Sequence, residues 1–240
     1  RYYQRRYDEA LALCHASLAI LDAHFGPQTH RMHRASLHHH IAEVLVAVGT
    51  YQDAVAHYSH AIACDPHYPE YYNVRGIAYF KAGRFDEAEA DFRQALALSP
   101  PYAEAFVNLG QCSRASGRAD AAVQAYSSAI DLEPESTLAL VGRAEAYELL
   151  GDRARAGADY DAALALSPED PLVLANRAVL HYESGRLQAS LDDLERALAR
   201  APELAELFHN RAVVLVDLGR RAEAAEDRTR YLRLRPDADD

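Results

Sequence analysis

The sequence predicts an all-α solenoid in which one helix pair is repeated and stacked along the chain. The first observation is a period of 34 residues that recurs six times without a gap between residues 35 and 238. The second is that proline and glycine stand at fixed places in every period, and the third is that small residues occupy two further places. A fixed period of this length, with small residues in register, indicates stacked supersecondary structures.

The prolines and glycines mark the ends of two helices in each repeat. The prolines are 34 residues apart and a glycine precedes each by 17 residues: Pro66, Pro100, Pro134, Pro168, Pro202 and Pro236, with Gly49, Gly83, Gly117, Gly151, Gly185 and Gly219. Glycine closes the first helix because it adopts the left-handed conformation at little cost. Proline ends the second because it lacks the N–H that a continuing helix needs. In the second repeat these helices are predicted near residues 70–82 and 86–98, where apolar residues recur at spacings of three and four.

Small residues stand where the paired helices are expected to approach closely. The two series are Ala42, Gly76, Gly110, Ala144, Ala178 and Ala212, and Ala54, Ala88, Ala122, Ala156, Ser190 and Ala224. A larger side chain at these places would push the helix axes apart and leave voids beside it.

The repeat resembles the tetratricopeptide repeat (TPR). With repeats at 35–68, 69–102, 103–136, 137–170, 171–204 and 205–238, three positions fit that family. Position 4 is large and apolar except at His38: Tyr72, Phe106, Leu140, Leu174 and Phe208. Position 24 of the first five repeats is also large and apolar: Tyr58, Phe92, Tyr126, Tyr160 and Leu194. Position 27 of the same repeats is alanine: Ala61, Ala95, Ala129, Ala163 and Ala197. The resemblance covers six repeats of 34, or 204 of 240 residues. It implies a right-handed superhelical solenoid of antiparallel helix pairs.

The sixth repeat departs from this pattern. Arg228 stands at position 24 and Tyr231 at position 27, where the family has a large apolar residue and alanine. Terminal repeats need a polar outer face because no further repeat packs on them. We therefore interpret the sixth repeat as a C-terminal cap. Asp237 to Asp240 is expected to be solvated, and residues 239–240 form an acidic tail beyond the last repeat.

Residues 1–34 do not form a complete repeat. Residues 7–10 resemble the start of a second helix, and the helical period continues to His24 before a break at Phe25-Gly26-Pro27. This spacing resembles the longer repeat variant of kinesin light chains and many bacterial regulators. We interpret the segment as the second helix of a truncated leading repeat plus a linker, in a piece of a longer protein. The alternative is a lone helix that caps the stack.

The composition excludes several classes of partner and location. A net charge of −11 argues against a nucleic-acid surface, which needs a basic stripe, and favours basic or neutral partners. No apolar stretch of about 20 residues is present, so no membrane span is predicted. Cys14, Cys64 and Cys112 are interpreted as buried thiols in a reducing compartment, the cytoplasm. Lys81 is the only lysine among 25 basic residues, a bias typical of a GC-rich bacterial genome.

Two positions of the repeat change together. Position 7 is Ile41 or Leu109 in two repeats but arginine in the other four, and position 23 is aspartate in those same four. We predict ion pairs between the two helices of one repeat: Arg75 with Asp91, Arg143 with Asp159, Arg177 with Asp193 and Arg211 with Asp227. The alternative is that both charges are solvated.

No catalytic motif stands out, so the sequence predicts neither an enzyme nor a cofactor. A phosphate-binding loop, a nucleophile elbow and a His-Glu-x-x-His pair are all missing. Five histidines lie close together: His30, His33, His38, His39 and His40. His39 and Glu43 lie one helical turn apart and could share a metal ion, but zinc needs three or four ligands and the others are not evident. We predict no metal site, which leaves a solvated helix face or a pH-sensitive patch.

The TPR resemblance implies a concave groove lined by the first helix of each repeat. The residues predicted to contact a partner there are His39, Glu43, Asn73, Phe80, Asn108, Gln111, Arg114, Glu145, Asn176, Tyr182, Glu183, His209 and Asn210. The asparagine amides both donate and accept, so they suit a peptide backbone; alternatively they bond their own scaffold. Phe80 and Tyr182 are candidate anchors, or else they pack between repeats.

Carboxylates outnumber basic groups on these groove positions: Glu43, Glu70, Glu104, Glu145, Glu148, Glu183, Glu206 and Asp217. The groove is therefore expected to favour a basic or neutral segment. We predict a non-catalytic scaffold that binds a peptide or protein segment in the groove. The alternative is a regulatory or oligomerisation arm of a larger signalling protein or enzyme, and an apolar N-terminal edge would favour a homodimer.

Overall fold

The computed structural model describes residues 2–26 and 28–235, with side chains from residue 6 onward. Within these residues it contains thirteen helices and no strand. The helices are α1 (Tyr2–His24), α2 (Arg31–Ala47), α3 (Tyr51–Cys64), α4 (Pro69–Lys81), α5 (Phe85–Leu98), α6 (Ala103–Ala115), α7 (Ala119–Leu132), α8 (Thr137–Leu149), α9 (Arg153–Leu166), α10 (Pro171–Glu183), α11 (Leu187–Arg200), α12 (Ala205–Asp217) and α13 (Arg221–Leu234). The fold is thus an all-α helical repeat solenoid, as the sequence predicts.

Each first helix ends at its glycine through the same backbone turn. Gly83 has φ 74°, and all six repeat glycines have φ between 73° and 84°. The Gly83 N–H donates to the carbonyl of Phe80 at 3.0 Å, and the Arg84 N–H donates to that of Tyr79 at 2.9 Å. These two bonds satisfy carbonyls that the end of the helix leaves unpaired.

The chain forms two compact units, each with its own core. The N-terminal unit contains α1–α7 and ends at Leu132, and the C-terminal unit contains α8–α13 and starts at Glu133. In the N-terminal unit the alanines of α2 and α3 pack with Tyr58, and Phe92 packs with Cys112. In the C-terminal unit the most buried side chains include Tyr160, Leu174, Leu180, Leu191, Leu194 and Leu215.

The small positions lie under the rings of position 24. A Cβ atom added at Gly76 would lie 2.7 Å from the Phe92 ring, and one added at Gly110 would lie 2.8 Å from the Tyr126 ring. Both distances are shorter than a van der Waals contact, so at Gly76 and Gly110 a larger residue would require the ring to move. This contact holds the two helices of a repeat at a fixed separation.

All four arginine–aspartate pairs singled out in the sequence meet in the structure. Nε of Arg75 lies 2.7 Å from Oδ2 of Asp91, and Nη2 lies 2.7 Å from Oδ1. The other three pairs have the same two-point geometry at 2.6 to 2.8 Å: Arg143 with Asp159, Arg177 with Asp193 and Arg211 with Asp227. The four aspartates are buried. Hydrogen bonding by Asp193 raises the pKa of Arg177 further above its usual value, so the guanidinium stays charged.

The N-terminal helix differs from the expectation. It begins at Tyr2 rather than near residue 7, because no glycine or proline between Tyr2 and Tyr7 interrupts the helix. It ends at His24, and the break continues through Phe25 and Gly26, while Pro27 lies outside the described residues.

The three cysteine thiols differ in burial. Cys112 is buried, but Cys14 and Cys64 are only half-buried, so the expectation of three buried thiols was wrong for two of them. Pro236 and the tail Asp237 to Asp240 lie outside the described residues. No helix in the described part of the chain is long and apolar enough to cross a membrane.

Candidate functional site

Three carboxylates of successive first helices lie near one another in the N-terminal unit, with Glu70 close to the other two. Glu43 lies on α2, Glu70 on α4 and Glu104 on α6, and we call them the acidic surface. Burial raises the pKa of the Glu70 carboxyl above its usual value, and the charges of Glu104 and Glu43 raise it further. The three groups therefore lie close enough to repel one another, and a cation placed among them would relieve that repulsion.

Tyrosines border the acidic surface. Burial and then the charges of Glu70 and Glu104 raise the pKa of Tyr102 to about 12. Tyr58 also has a raised pKa, from burial and then from Glu43 and Glu70. Tyr58 is only 3% exposed and belongs to the core, but the ring of Tyr102 is only partly buried. Such a ring next to carboxylates suits a guanidinium or an ammonium group, which stacks on the ring while it pairs with the acid.

Asn73, predicted to contact a partner, is not accessible. It is only 2% exposed, and its Oδ1 accepts a hydrogen bond of 3.2 Å from Nδ2 of Asn108. The prediction for Asn73 was therefore wrong, because α6 packs against α4 and covers this side of the helix. Asn108 itself, with Gln111 and Arg114 on the same helix, is half-buried.

A second group of carboxylates lies in the C-terminal unit. Burial raises the pKa of Glu148, and the charges of Glu183 and Glu145 add to it, although a 2.8 Å hydrogen bond from the Tyr160 hydroxyl opposes the shift. Nδ2 of Asn176 donates to Oε1 of Glu145 at 3.2 Å. Like Asn108, Asn176 thus makes a hydrogen bond within the scaffold.

The two candidate anchors have different surroundings. Phe80 packs against Phe85, with ring centroids 5.5 Å apart, and joins the cluster around Phe92. Phe80 is therefore a packing residue between helices. Tyr182 is half-buried, and its hydroxyl donates to Oδ2 of Asp217 at 2.8 Å, which joins α10 to α12.

A cavity of about 240 Å³ opens beside Tyr182 in the C-terminal unit. Residues of three helices line it: Val179, Tyr182 and Glu183 of α10, Ser190 and Leu194 of α11, and Asn210, Val213 and Val214 of α12. The structure thus brings three of the predicted contact residues, Tyr182, Glu183 and Asn210, around one cavity. Ser190 and Leu194 were not predicted as site residues because they stand at scaffold positions of the second helix.

A larger cavity of about 560 Å³ lies on the last repeat. His209, which is exposed, lies at its edge with its ring 5.3 Å from that of Tyr231. Ala212, Val213 and Val216 line it together with Arg228. The outer face expected for a cap is therefore partly apolar, because arginine at position 24 supplies no ring to cover Ala212.

The histidines separate into three groups. His30 and His33 lie near Phe25, and His39 and His40 lie beside Glu43. His38 instead faces α3, where its Nδ1 lies 2.9 Å from Nδ1 of His57 and its ring stacks on His60 at 4.8 Å. His15 of α1 lies 5.9 Å from the His57 ring.

We call His15, His38, His57 and His60 the histidine cluster. Burial, and then the neighbouring His60 and His57, lower the pKa of His38 to about 4. The sequence analysis missed three members of this cluster. The signal was present, since His38 and His57 replace an apolar residue and an aspartate within one repeat.

His39, His40 and Glu43 bring three candidate metal-ligand atoms within 4.8 Å of one another. Nε2 of His39 lies 3.5 Å from Oε1 of Glu43, and Nδ1 of His40 lies 2.9 Å from Oε2. His40 is thus a third candidate ligand beside His39 and Glu43, which the sequence did not indicate. A pairing of His40 with Glu43 by itself accounts for this arrangement on an exposed helix face.

Comparison with known protein families identifies the repeat. Two family models, both described as tetratricopeptide repeat, match the chain: one at residues 73–132 and 103–171, the other at 33–100. Together they cover residues 33–171, more than half of the chain. No curated protein matches the sequence.

Solved structures resemble the fold at low sequence identity. PilW, a widely conserved type IV pilus biogenesis factor, has a TM-score of 0.75 at 22% identity, over 85% of this chain and 94% of its own. A tetratricopeptide repeat protein of Parabacteroides merdae has a TM-score of 0.72 at 16% identity, over 98% and 95%. YrrB, a TPR protein with an unusual peptide-binding site, has a TM-score of 0.60 at 20% identity, over 73% and 90%.

Proposed function

Because the chain belongs to the tetratricopeptide repeat family, we propose that it is a non-catalytic scaffold that binds a cationic segment of another protein. TPR domains serve as protein–protein interaction scaffolds, and YrrB shows that this fold can carry a peptide-binding site. The segment would lie along the first helices, in the groove that the family resemblance implies, and no chemistry on it is required.

The observation that carries this proposal is that Glu43 and Glu104 lie close enough to Glu70 to raise its pKa. A carboxylate beside two others is costly to ionise without a compensating charge. An arginine or lysine of the partner supplies that charge, and the ring of Tyr102 borders the place where it would bind. The net charge of −11 also attracts a basic partner at long range.

The test is a titration of the whole chain with a fluorescein-labelled arginine-rich nonapeptide. Glu43→Gln/Glu70→Gln/Glu104→Gln is expected to weaken binding about tenfold or more, since charge-assisted contacts are among the strong ones. The control, Asp131→Asn/Glu133→Gln/Glu135→Gln, changes the net charge equally at exposed positions away from the acidic surface. Equal weakening by both variants would show that only the overall charge matters, and would refute a site on the acidic surface.

An oligomerisation arm is the second candidate function. Leu13 and Ile20 of α1 are 71% and 58% exposed, and their spacing of about two helical turns places them on one face of the helix. A second copy of the chain that packed on this face would bury them. Sedimentation velocity at rising concentration tests this role: Leu13→Glu/Ile20→Glu is expected to remove the dimer, and a monomer at every concentration would reject it.

A further inference from the structure

Leu194 leaves space in the fifth repeat that a ring fills elsewhere. Position 24 is tyrosine or phenylalanine in the first four repeats, and in the second and third the ring lies against the small residue of the first helix, as Tyr126 lies against Gly110. The shorter Leu194 cannot cover the same distance. The cavity of about 240 Å³ lies at this place, with Leu194, Val213 and Val214 forming an apolar lining.

Ser190 provides a second and independent observation. It is fully buried, it lines the cavity, and its hydroxyl has no hydrogen-bond partner among the described residues. The other five repeats have alanine at this position, so the scaffold does not require a hydroxyl there. A buried polar group without a partner is costly, and a ligand that bonds to it recovers that cost.

The size and lining of the cavity select the ligand. Small-molecule sites usually measure about 300–1,000 Å³, so this cavity suits a single side chain rather than a cofactor. The apolar lining favours a side chain with an apolar body, and the Ser190 hydroxyl favours one that ends in a hydrogen-bonding group. Phenylalanine and leucine would leave Ser190 unpaired. A lysine ammonium could donate to the Ser190 hydroxyl, but its charge would have no counter-ion there, because Glu183, the carboxylate of the lining, is at the exposed rim.

We propose that, within the segment binding proposed above, this cavity receives one tyrosine side chain of the partner protein. The ring lies between Val179 and Val213 and on Leu194, in the place that Tyr126 and Tyr160 occupy in their own repeats. Its hydroxyl bonds with the hydroxyl of Ser190. The partner segment thus contains a tyrosine in addition to its basic residues.

The test compares p-cresol, which is the side chain of tyrosine, with toluene, which is that of phenylalanine. Each is titrated into the whole chain labelled at the valine and leucine methyl groups, and binding is followed by NMR. Both should shift the methyl resonances of Leu194, Val213 and Val214 saturably. The p-cresol affinity is expected to be about three- to tenfold higher, the contribution of one hydrogen bond.

Two variants with counterparts in this chain give the controls. Ser190→Ala, the residue of the other five repeats, should remove the preference for p-cresol and keep toluene binding. Leu194→Tyr, the residue of the third and fourth repeats, should abolish binding of both probes because its own ring fills the cavity. A preference that survives in Ser190→Ala, p-cresol binding that survives in Leu194→Tyr, or unshifted Val213 and Val214 methyls would each overturn the proposal.

A peptide distinguishes a protein partner from a free phenol. Acetyl-Gly-Tyr-Gly-amide should shift the same methyl groups and lose affinity in Leu194→Tyr. Binding of p-cresol without binding of this peptide would assign the cavity to a small free phenol and overturn the tyrosine assignment. These probes carry no charge and bind in the C-terminal unit, so their outcome is independent of the arginine-peptide test on the acidic surface.

Discussion

The guanidinium of Arg143 spans both carboxylate oxygens of Asp159, with Nε 2.8 Å from Oδ2 and Nη2 2.8 Å from Oδ1. The pair joins α8 to α9 at the place where two other repeats of the chain carry an apolar residue, Ile41 or Leu109, on the first helix. Such a two-point contact fixes the angle between donor and acceptor planes as well as their distance. The pair therefore sets the register of the two helices.

Removing one partner of the Arg143–Asp159 pair is expected to destabilise the chain more than replacing both partners. Asp159→Ala should lower the free energy of unfolding by about 3–5 kcal/mol, because Arg143 would keep a partly buried charge without its principal partner. A loss near the lower end of this range is expected, because the Arg143 side chain is 21% exposed and water can partly solvate its charge. Arg143→Met/Asp159→Ala should recover most of the loss in urea unfolding experiments. Equal stabilities of the single and double variants would mean that the two charges are independent.

The histidine cluster should make the N-terminal unit less stable at low pH. His38 has a pKa of about 4 in the folded chain against 6.5 for a free histidine. The unfolded chain takes up the proton first as the pH falls, so stability is complete above pH 6.5 and decreases between 6.5 and about 4. The groups that face His38 are Asp22 of α1, Arg34 of α2, and His57 and His60 of α3.

His38→Leu tests this pH dependence, because leucine is the residue of the fourth and fifth repeats at that position. The expected difference in pH dependence is about 1–2 kcal/mol, reduced from the full value because His38 is half-exposed. Urea unfolding at about pH 7.5 and about pH 5 gives the measurement. If the variant loses as much stability as the unmodified chain between these pH values, His38 is not the source of the effect.

Two glycine-to-alanine changes should have opposite effects. Gly110→Ala would place a Cβ 2.8 Å from the Tyr126 ring and is expected to destabilise the chain by about 1–3 kcal/mol. Gly157→Ala, in the middle of α9, meets only Leu180 at 3.6 Å and should stabilise by up to about 1 kcal/mol through helix propensity. Thermal unfolding compares them directly. A Gly110→Ala protein as stable as the Gly157→Ala protein would show that the ring moves aside freely.

Affinity for a cationic peptide should decrease as the pH falls. The pKa of Glu70 lies above its usual value, so this carboxylate is neutralised earlier on acidification than a glutamate without neighbouring carboxylates. Binding that depends on its charge should therefore be weaker at about pH 5 than at about pH 7.5. The Glu70→Gln variant should bind more weakly at both pH values and vary less between them. The measurement is best made in a His38→Leu background, which separates binding from stability.

The arrangement of the helices and the pairing of arginine with aspartate could be predicted from the sequence, because six repeats act as an internal alignment. Positions 7 and 23 change together, and the structure brings the same four pairs into contact. Which side of a first helix stays open could not be read in this way. Asn73 stands on a groove position, yet α6 covers it, because a repeat position fixes a direction on one helix and not what the next helix places there.

The cavity beside Ser190 shows the same limit. Leucine at position 24 and serine at position 20 are each ordinary substitutions when taken one at a time. Only the fold brings them to a common space between α10, α11 and α12. There Leu194 leaves the space of a ring empty, and the Ser190 hydroxyl has no hydrogen-bond partner among the described residues. The histidine cluster likewise needs α1, which belongs to no complete repeat and therefore has no counterpart in the internal alignment.

Within each compact unit, the principal contacts of every helix are with the helix before it and the helix after it in the chain. Contacts between near neighbours in sequence require only short loops to close, so folding does not wait for distant segments to meet. Each unit should consequently fold quickly, as proteins of low contact order do. Within each unit, unfolding should begin at a terminal helix pair and advance one repeat at a time, so that hydrogen-exchange protection falls toward the ends of that unit while its interior helices stay closed.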